Sequence, residues 1–297
     1  MAVSPISRCV ATPVPGRGSG LSPAARRAAT GLLALSWILV LPVDLSAQER
    51  PFPYALDHGD IAVASVGAVA AGLGFALKNT AAPPTAAEIA GLDRASVNAF
   101  DRGATWNWSD DWQDVSDWTR DGLVAAATLA TLLPAAVEGR WSEAATLGVM
   151  LAETAAFSFG VTNLAKVVVQ RNRPYLYNDA FTPEERAGIA RESGGATLSF
   201  PSGHTSLAFA AASFLSTTYA DLHGPGTASK LIWGSSLGAA ALVGVARVEG
   251  GKHFPTDVLA GAVAGGAIGH LVPRLHRRGT PVNLVVTPSY LVVRWSF

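Results

Sequence analysis

Three short polar blocks interrupt an otherwise apolar sequence, and each contains residue types that bind or transfer an anionic group. In chain order they are Lys166 with Arg173-Pro174, then Ser202-Gly203-His204, then Arg247-x5-His253-x3-Asp257. Fixed cations suit a phosphoryl group, because its oxygens carry negative charge during transfer. Histidine titrates near neutral pH and can therefore act as a nucleophile or a general acid. Together the blocks predict chemistry on a phosphate-like anion.

The second block lies where a polar loop meets a long apolar segment, so we predict that a helix begins there. The start of a helix leaves backbone N–H groups unpaired and carries a partial positive charge, which attracts anions. Gly203 lets the backbone approach a ligand closely, and Ser202 and His204 add donors. By itself this pattern is weak, since many helix starts contain serine and glycine.

The third block places a carboxylate near a histidine. Pro255 suits the first turn of a helix, so Asp257 is expected in that turn and His253 just ahead of it. There Asp257 can accept a hydrogen bond from one imidazole nitrogen and leave the other free to attack. The alternative is that Asp257 only caps the helix beside a bystander histidine. That alternative does not explain the spacing from Arg247 to His253.

In the first block, we expect Lys166 at the end of a helix and Arg173 just beyond it, because Pro174 stops helical continuation. Two cations converging on one point suit a phosphate. The alternative is that basic residues here complement the negative end of the helix dipole. Arg171 fits that alternative, and we leave it out of the predicted site.

These three blocks, in this order, resemble the signature of the phosphatidic acid phosphatase type 2 / vanadium-dependent haloperoxidase superfamily. The resemblance covers Lys166 to Asp257 and, with the flanking helices, residues 122–271. It implies that His253 forms a phosphohistidine, that Asp257 orients His253, and that His204 protonates the leaving oxygen. The implied phosphate-binding residues are Lys166, Arg173, Ser202, Gly203 and Arg247. This chain departs from the family at Ala246, where a serine often precedes the arginine.

Composition indicates an apolar helical protein. Hydrophobic residues make up 49% of the 297 residues and charged ones 15%, against about 25% in ordinary soluble domains. We predict an all-α bundle of about six apolar helices, membrane-embedded in preference to soluble, with a short β-hairpin-like tail at the C-terminus. The zero net charge argues against a nucleic-acid partner. The single cysteine, Cys9, excludes an internal disulfide.

Four segments follow from the sequence pattern. Residues 1–47 are a predicted signal peptide, with a first membrane anchor as the alternative. Residues 48–120 hold an apolar helix and an amphipathic helix with tryptophans on one face and Asp110, Asp111, Asp114 and Asp117 on the other. Residues 121–275 form the catalytic helical domain, and residues 276–297 form the tail.

The leading hypothesis is a lipid phosphate phosphatase of a bacterial-type cell envelope. Phosphatidic acid, phosphatidylglycerol phosphate and a polyprenyl pyrophosphate are the candidate substrates by resemblance. The alternatives are a soluble periplasmic acid phosphatase, a vanadium-dependent haloperoxidase with His253 as the vanadate ligand, and a non-catalytic lipid-binding or transport protein. We expect no metal and no cofactor, with vanadate acting as an inhibitor. We expect the active site to face the periplasm, although counting every apolar run as a span would place it on the cytoplasmic side.

Overall fold

The computed structural model describes residues 51–56, 58–78, 82–279, 282–286 and 291–295. The predicted signal peptide, residues 1–47, lies outside these residues. Within them the chain forms α1 His58–Lys78, α2 Ala86–Ala90, α3 Asp110–Val137, α4 Trp141–Val169, α5 Pro183–Ser193, α6 Gly203–His223, α7 Thr227–Glu249 and α8 Pro255–Leu275. Short 3-10 helices cover Arg94–Ser96, Arg102–Trp106 and Pro174–Tyr177. The predicted helical class is confirmed.

The tail forms a two-stranded antiparallel sheet, as the sequence predicts. The strands are β1 Val282–Val286 and β2 Leu291–Trp295. Val282 pairs with Trp295 at one end, and Val286 pairs with Leu291 at the other. Both strands are rich in valine and leucine and flank a proline-containing connection, a pattern that favours the pairing.

Four segments in the described part are long and apolar enough to cross a membrane. They are Asp110–Val137, Trp141–Tyr177, Thr227–Glu249 and Pro255–Leu275. Large apolar side chains on these helices face outward, among them Leu133, Val137, Val168, Leu231, Val245 and Val263. A water-exposed surface rarely carries so many apolar side chains on neighbouring helices. These features support the membrane-embedded bundle that the sequence favours.

Helix α6 lies at the centre of the bundle and packs against α3, α4, α7 and α8. Its alanines contact α3 and α7 in one hydrophobic cluster, which includes Ala208, Ala212, Leu123 and Val243. On α4, Glu153 and Asn163 are 2% and 3% exposed, so both point into the bundle. This placement fits a membrane-embedded bundle, because its interior tolerates such polar groups better than a lipid-facing surface does.

The contact between α6 and α8 depends on three glycines spaced four residues apart. Gly261, Gly265 and Gly269 place their α-carbons against the backbone of α6, at Ser202, Ser206 and Ala210. A β-carbon at any of these glycines would overlap a carbonyl oxygen of α6. Small residues repeated at this spacing let two helices approach closely. The approach brings the N-terminal ends of α6 and α8 together.

Helix α3 differs from the sequence analysis, which places an amphipathic helix within residues 48–120 and begins the catalytic helical domain at residue 121. The structure has one helix of 28 residues, capped by Ser109, whose hydroxyl accepts a hydrogen bond from the Trp112 N–H. No proline separates the two patterns, and a single glycine costs a helix only about 1 kcal/mol. The predicted boundary between residues 120 and 121 therefore falls inside a helix.

Replacing Gly265 with alanine should destabilise the bundle, because the new β-carbon overlaps the Ser206 carbonyl oxygen. Overpacking of this kind costs about 1–3 kcal/mol, which exceeds the gain of up to about 1 kcal/mol from alanine's helix propensity. The matched control is Gly266→Ala, whose β-carbon would lie an ordinary 3.7 Å from the Ser213 hydroxyl. Thermal unfolding in detergent should show a lower midpoint for Gly265→Ala alone. Equal midpoints for the two variants would contradict this account of the helix contact.

Candidate active site

A cavity of about 630 Å³ lies at the end of the bundle where α6 and α8 begin. The structure brings six of the eight predicted site residues to its wall, and they come from all three blocks. They are Lys166, Arg173, Gly203, His204, Arg247 and His253. The other two, Ser202 and Asp257, are fully buried beside the cavity and do not line it.

The first block supplies two cations held by backbone carbonyls. Lys166 lies in the last turn of α4, is 6% exposed, and donates to the Leu198 carbonyl oxygen at 2.9 Å. Arg173 lies beyond the helix, where its Nε donates to the Gly195 carbonyl oxygen and its Nη1 to the Lys252 carbonyl oxygen at 2.9 and 2.8 Å. Carbonyl oxygens fix these side chains without neutralising their charge.

The second block starts α6, as predicted. The Ser202 hydroxyl caps the helix and accepts a hydrogen bond from the Thr205 hydroxyl at 2.9 Å. Ser202 therefore serves the helix start, while Gly203 and His204 reach the cavity. His204 Nε2 lies 2.7 Å from a carboxylate oxygen of Asp117 on α3.

The third block spans the end of α7 and the start of α8. Arg247 is 7% exposed and its Nη1 donates to the Ser116 hydroxyl on α3 at 3.2 Å. At the position where the family often has serine, Ala246 is fully buried, so the hydroxyl that contacts Arg247 comes from Ser116. His253 Nε2 lies 3.4 Å from Arg173 Nη1 and lines the cavity.

Asp257 contacts other groups than the sequence predicts. Its Oδ2 lies 3.6 Å from His253 Nδ1, too far for a hydrogen bond. The carboxylate instead accepts hydrogen bonds from the Ser199 hydroxyl at 2.5 Å and the Phe254 N–H at 2.8 Å. Arg171 Nη1 donates to its other oxygen at 2.6 Å. Because these donors occupy the carboxylate, Asp257 acts on His253 across 3.6 Å as a neighbouring negative charge.

The interpretation of Arg171 as a helix-dipole residue is wrong. Helix α4 ends at Val169, and Arg171 bridges Asp257 at 2.6 Å and Asp101 at 2.7 Å. Thr256 also accepts a hydrogen bond from Arg171 and donates one to Asp101. Both carboxylates are fully buried, and they lie 86 and 70 residues away in sequence. No local pattern could reveal such partners.

Helix α3 adds charged groups that the sequence analysis left out of the predicted site. Arg120 and Asp121 line the cavity, and Asp117 lies between Arg120, at 3.4 Å, and Arg247, at 3.9 Å. The only available signal was the acidic periodicity of the helix, which indicates solvent exposure as readily as a site. Among the described residues, no three His, Cys, Asp or Glu side chains are grouped to hold a metal ion.

Burial and neighbouring cations disfavour the protonated forms of the histidines and of Lys252 at the site. Burial, followed by the nearby Arg173, Lys166 and Arg247, holds the pKa of His253 well below its ordinary range. Burial is also the main cause that lowers the pKa of His204 to about 4, against the opposing effect of Asp117. Burial beside Arg173 and Arg247 lowers the pKa of Lys252 to about 8. Without a bound anion, both imidazoles are therefore neutral at pH 7.

Comparison with known proteins identifies the domain that contains this cavity. The PAP2 superfamily model matches residues 145–281, which include all three blocks. The match covers 137 of the 297 residues, a little under half of the chain. The resemblance that the motifs indicate is confirmed over this segment, and the matched family supports a phosphatase-type hydrolase.

Two individual PAP2-related proteins are similar to this chain. The lipid A 1-phosphatase of Porphyromonas gingivalis is 36% identical over 86 residues, a match that covers 28% of this chain and 18% of that protein. A transmembrane PAP2-type phosphatidylglycerolphosphate phosphatase from Bacillus subtilis has a solved structure with 21% identity and a TM-score of 0.35, covering 73% of this chain and 95% of that one.

The depressed histidine pKa values predict acid destabilisation of the PAP2 domain. The unfolded histidines gain protons near pH 6.5, whereas folded His204 gains one near pH 4 and folded His253 also stays neutral well below pH 6.5. Between these limits the unfolded state binds more protons, so stability falls as pH drops, by up to about 1.4 kcal/mol per pH unit for each histidine.

The measurement is the unfolding midpoint in detergent from pH 7.5 to 4.5. The double variant His204→Asn/His253→Asn should lose less stability on acidification than the wild type. His223→Asn, at an exposed site on α6, should follow the wild type. A double variant with an unchanged pH dependence would show that other groups dominate the acid response.

Proposed function

We propose that this protein is a lipid phosphate phosphatase that hydrolyses a phosphoester through a phosphohistidine on His253. The observation that carries the proposal is one cavity lined by His204, His253 and the three predicted phosphate-binding cations, with Arg120 as a fourth. The geometry supports in-line transfer, since two imidazoles and a cationic cradle are the groups such a reaction needs. The PAP2 family relationship supports the same chemistry.

In the first step, His253 Nε2 would attack phosphorus while the phosphate oxygens bind Lys166, Arg173 and Arg247. Asp257, 3.6 Å from Nδ1, favours the tautomer that carries its proton on Nδ1 and leaves the Nε2 lone pair free. The negative charge of the bound phosphate would favour the imidazolium form of His204, and as the P–O bond breaks this imidazolium would give its proton to the leaving alkoxide. The first product is then an alcohol.

In the second step, water would attack the phosphorus of phosphohistidine. His204, now neutral, takes the proton from water as the new O–P bond forms, and the P–N bond electrons return to His253. Inorganic phosphate leaves the cationic cradle. The cycle restores both histidines, so no external acid, base or metal is needed for its balance.

The lining of the cavity supports an amphiphilic substrate. Apolar residues form part of it, namely Ala71, Ala155, Ala156, Phe159 and Leu207. Those on α4 lie about two to three helix turns before Lys166, so this part of the wall is called the apolar end. A phosphate on the cations would place an attached hydrocarbon chain along these residues, in a wall formed by α1, α4 and α6. The similarity to a lipid A 1-phosphatase adds support for a lipid phosphate, although it covers 28% of the chain.

The direction of α8 supports a site outside the cytoplasm. The helix begins at the cavity and ends at Leu275, and Arg274, Arg277 and Arg278 lie at that far end. Basic residues next to a membrane span favour the cytoplasmic side. The cavity at the opposite end would then face the periplasm, as the sequence analysis expects.

Purified protein should release phosphate from at least one of phosphatidic acid, phosphatidylglycerol phosphate, lipid A 1-phosphate or a polyprenyl pyrophosphate. His253→Ala should reduce release at least about 100-fold, since it removes the attacking nitrogen.

Acid-labile phosphate should appear on wild-type protein after rapid quenching. Vanadate should inhibit and a chelator should not. Unchanged turnover in His253→Ala would overturn the proposed mechanism, and inhibition by chelator would overturn its metal independence.

Filling the apolar end of the cavity should separate lipid from soluble substrates. In Ala155→Phe the new ring fills the part of the cavity where the hydrocarbon chain is proposed to bind. The KM for phosphatidic acid should therefore rise about tenfold or more. The KM for p-nitrophenyl phosphate should stay within about twofold, because that ester does not need the apolar end. Ala152→Phe is the matched control, on the same helix but outside the cavity wall. Parallel changes with both substrates would contradict a hydrocarbon-binding role.

A further inference from the structure

His204 has a close carboxylate partner that no family motif includes. Asp117 Oδ1 lies 2.7 Å from His204 Nε2, the shortest contact made by either site histidine among the described residues. Asp117 belongs to α3, which precedes the segment 145–281 matched by the PAP2 model. The contact therefore joins the predicted general acid to an element outside the matched domain.

The charges around His204 show why this carboxylate matters. Several cations surround the imidazole: Arg120 on α3, Arg247 on α7, and Lys166 and Arg173 across the cavity, where neutral His253 also lies. Each cation disfavours a positive imidazole. Asp117 is the negative group in direct contact with His204 and the one that favours its protonated form. A general acid must hold a proton before it can deliver one.

We propose that Asp117 is a positioning residue for the phosphatase reaction: it fixes the ring of His204 and, once an anionic phosphate is bound, favours the protonated imidazole that the leaving oxygen needs. The inference rests on the proposed function. The Nε2 contact leaves the second ring nitrogen to serve the substrate. His204 passes its proton to the leaving alkoxide as the P–O bond breaks, and regains one from the attacking water. Asp117 remains a carboxylate throughout.

A role for Asp117 as a competitor of the substrate anion makes a different prediction. The carboxylate lies 3.9 Å from Arg247 and 3.4 Å from Arg120, so it could instead occupy part of the anion site and compete with substrate. Removing its charge would then lower KM and raise kcat/KM. A positioning residue behaves differently, because its loss slows proton delivery and leaves anion binding intact or improved.

The test compares two phosphate monoesters in Asp117→Asn. The p-nitrophenolate group leaves without needing a proton, whereas an alkoxide needs one. With hexyl phosphate, kcat should fall about 100-fold, within the range that general acid catalysis contributes. With p-nitrophenyl phosphate it should fall less than about fivefold. The alkaline limb of the hexyl phosphate profile should also move to lower pH, because a less favoured imidazolium loses its proton earlier.

The matched control is Asp114→Asn, one helix turn earlier on the exposed side of α3, which should change both kcat values less than about twofold. The ratio of the two kcat values does not depend on how much variant protein folds. Equal losses of kcat on both esters, or a rise in kcat/KM, would overturn the role of Asp117 and leave the proposed phosphatase function standing. If the wild type hydrolyses no monoester and no lipid phosphate, both the proposed function and the role of Asp117 are overturned.

Discussion

The buried carboxylate of Asp257 is the interaction on which the geometry of the cavity depends. Its donors come from three parts of the chain: Arg171 beside the first block, the Ser199 hydroxyl ahead of the second, and the Phe254 N–H in the third. Its own backbone carbonyl accepts the Ser202 N–H at 2.9 Å. A buried carboxylate is tolerated only when such partners are present. Satisfying this one group therefore brings the three blocks together.

The two arginines near the first block differ in their hydrogen-bond partners, and so in whether their charge is neutralised. Arg171 forms ion pairs with Asp257 and Asp101. These carboxylates neutralise its charge, and the pairs hold the loops together. Arg173 donates instead to backbone carbonyls of Gly195 and Lys252, which orient it and leave its net charge intact. Unneutralised cations beside a cavity attract an anion. This division separates the residues that build the site from those that bind its ligand.

The sequence predicts the helical class and the cavity-lining residues well, because both depend on local spacing. Lys166, Gly203, His204 and His253 stand in fixed relation to helix ends, and these ends follow from Pro255 and the polar loop before α6. Contacts between distant segments could not be predicted in this way. Ser199, Asp101 and Asp117 acquire their partners only when helices pack, and nothing in their local pattern distinguishes them from capping or solvent-exposed residues.

The glycine spacing on α8 connects this packing to the chemistry. Because Gly261 and Gly265 let α8 lie directly against α6, the first turns of both helices end at the same cavity. Each N-terminus contributes a partial positive charge, and the two add to the nearby cations. Asp257 lies behind His253 and outside the cavity wall, where it is paired with Arg171 and orders the loops. Asp117 is placed differently: it contacts His204, where a negative charge favours the protonated imidazole, and it lies 3.9 Å from Arg247.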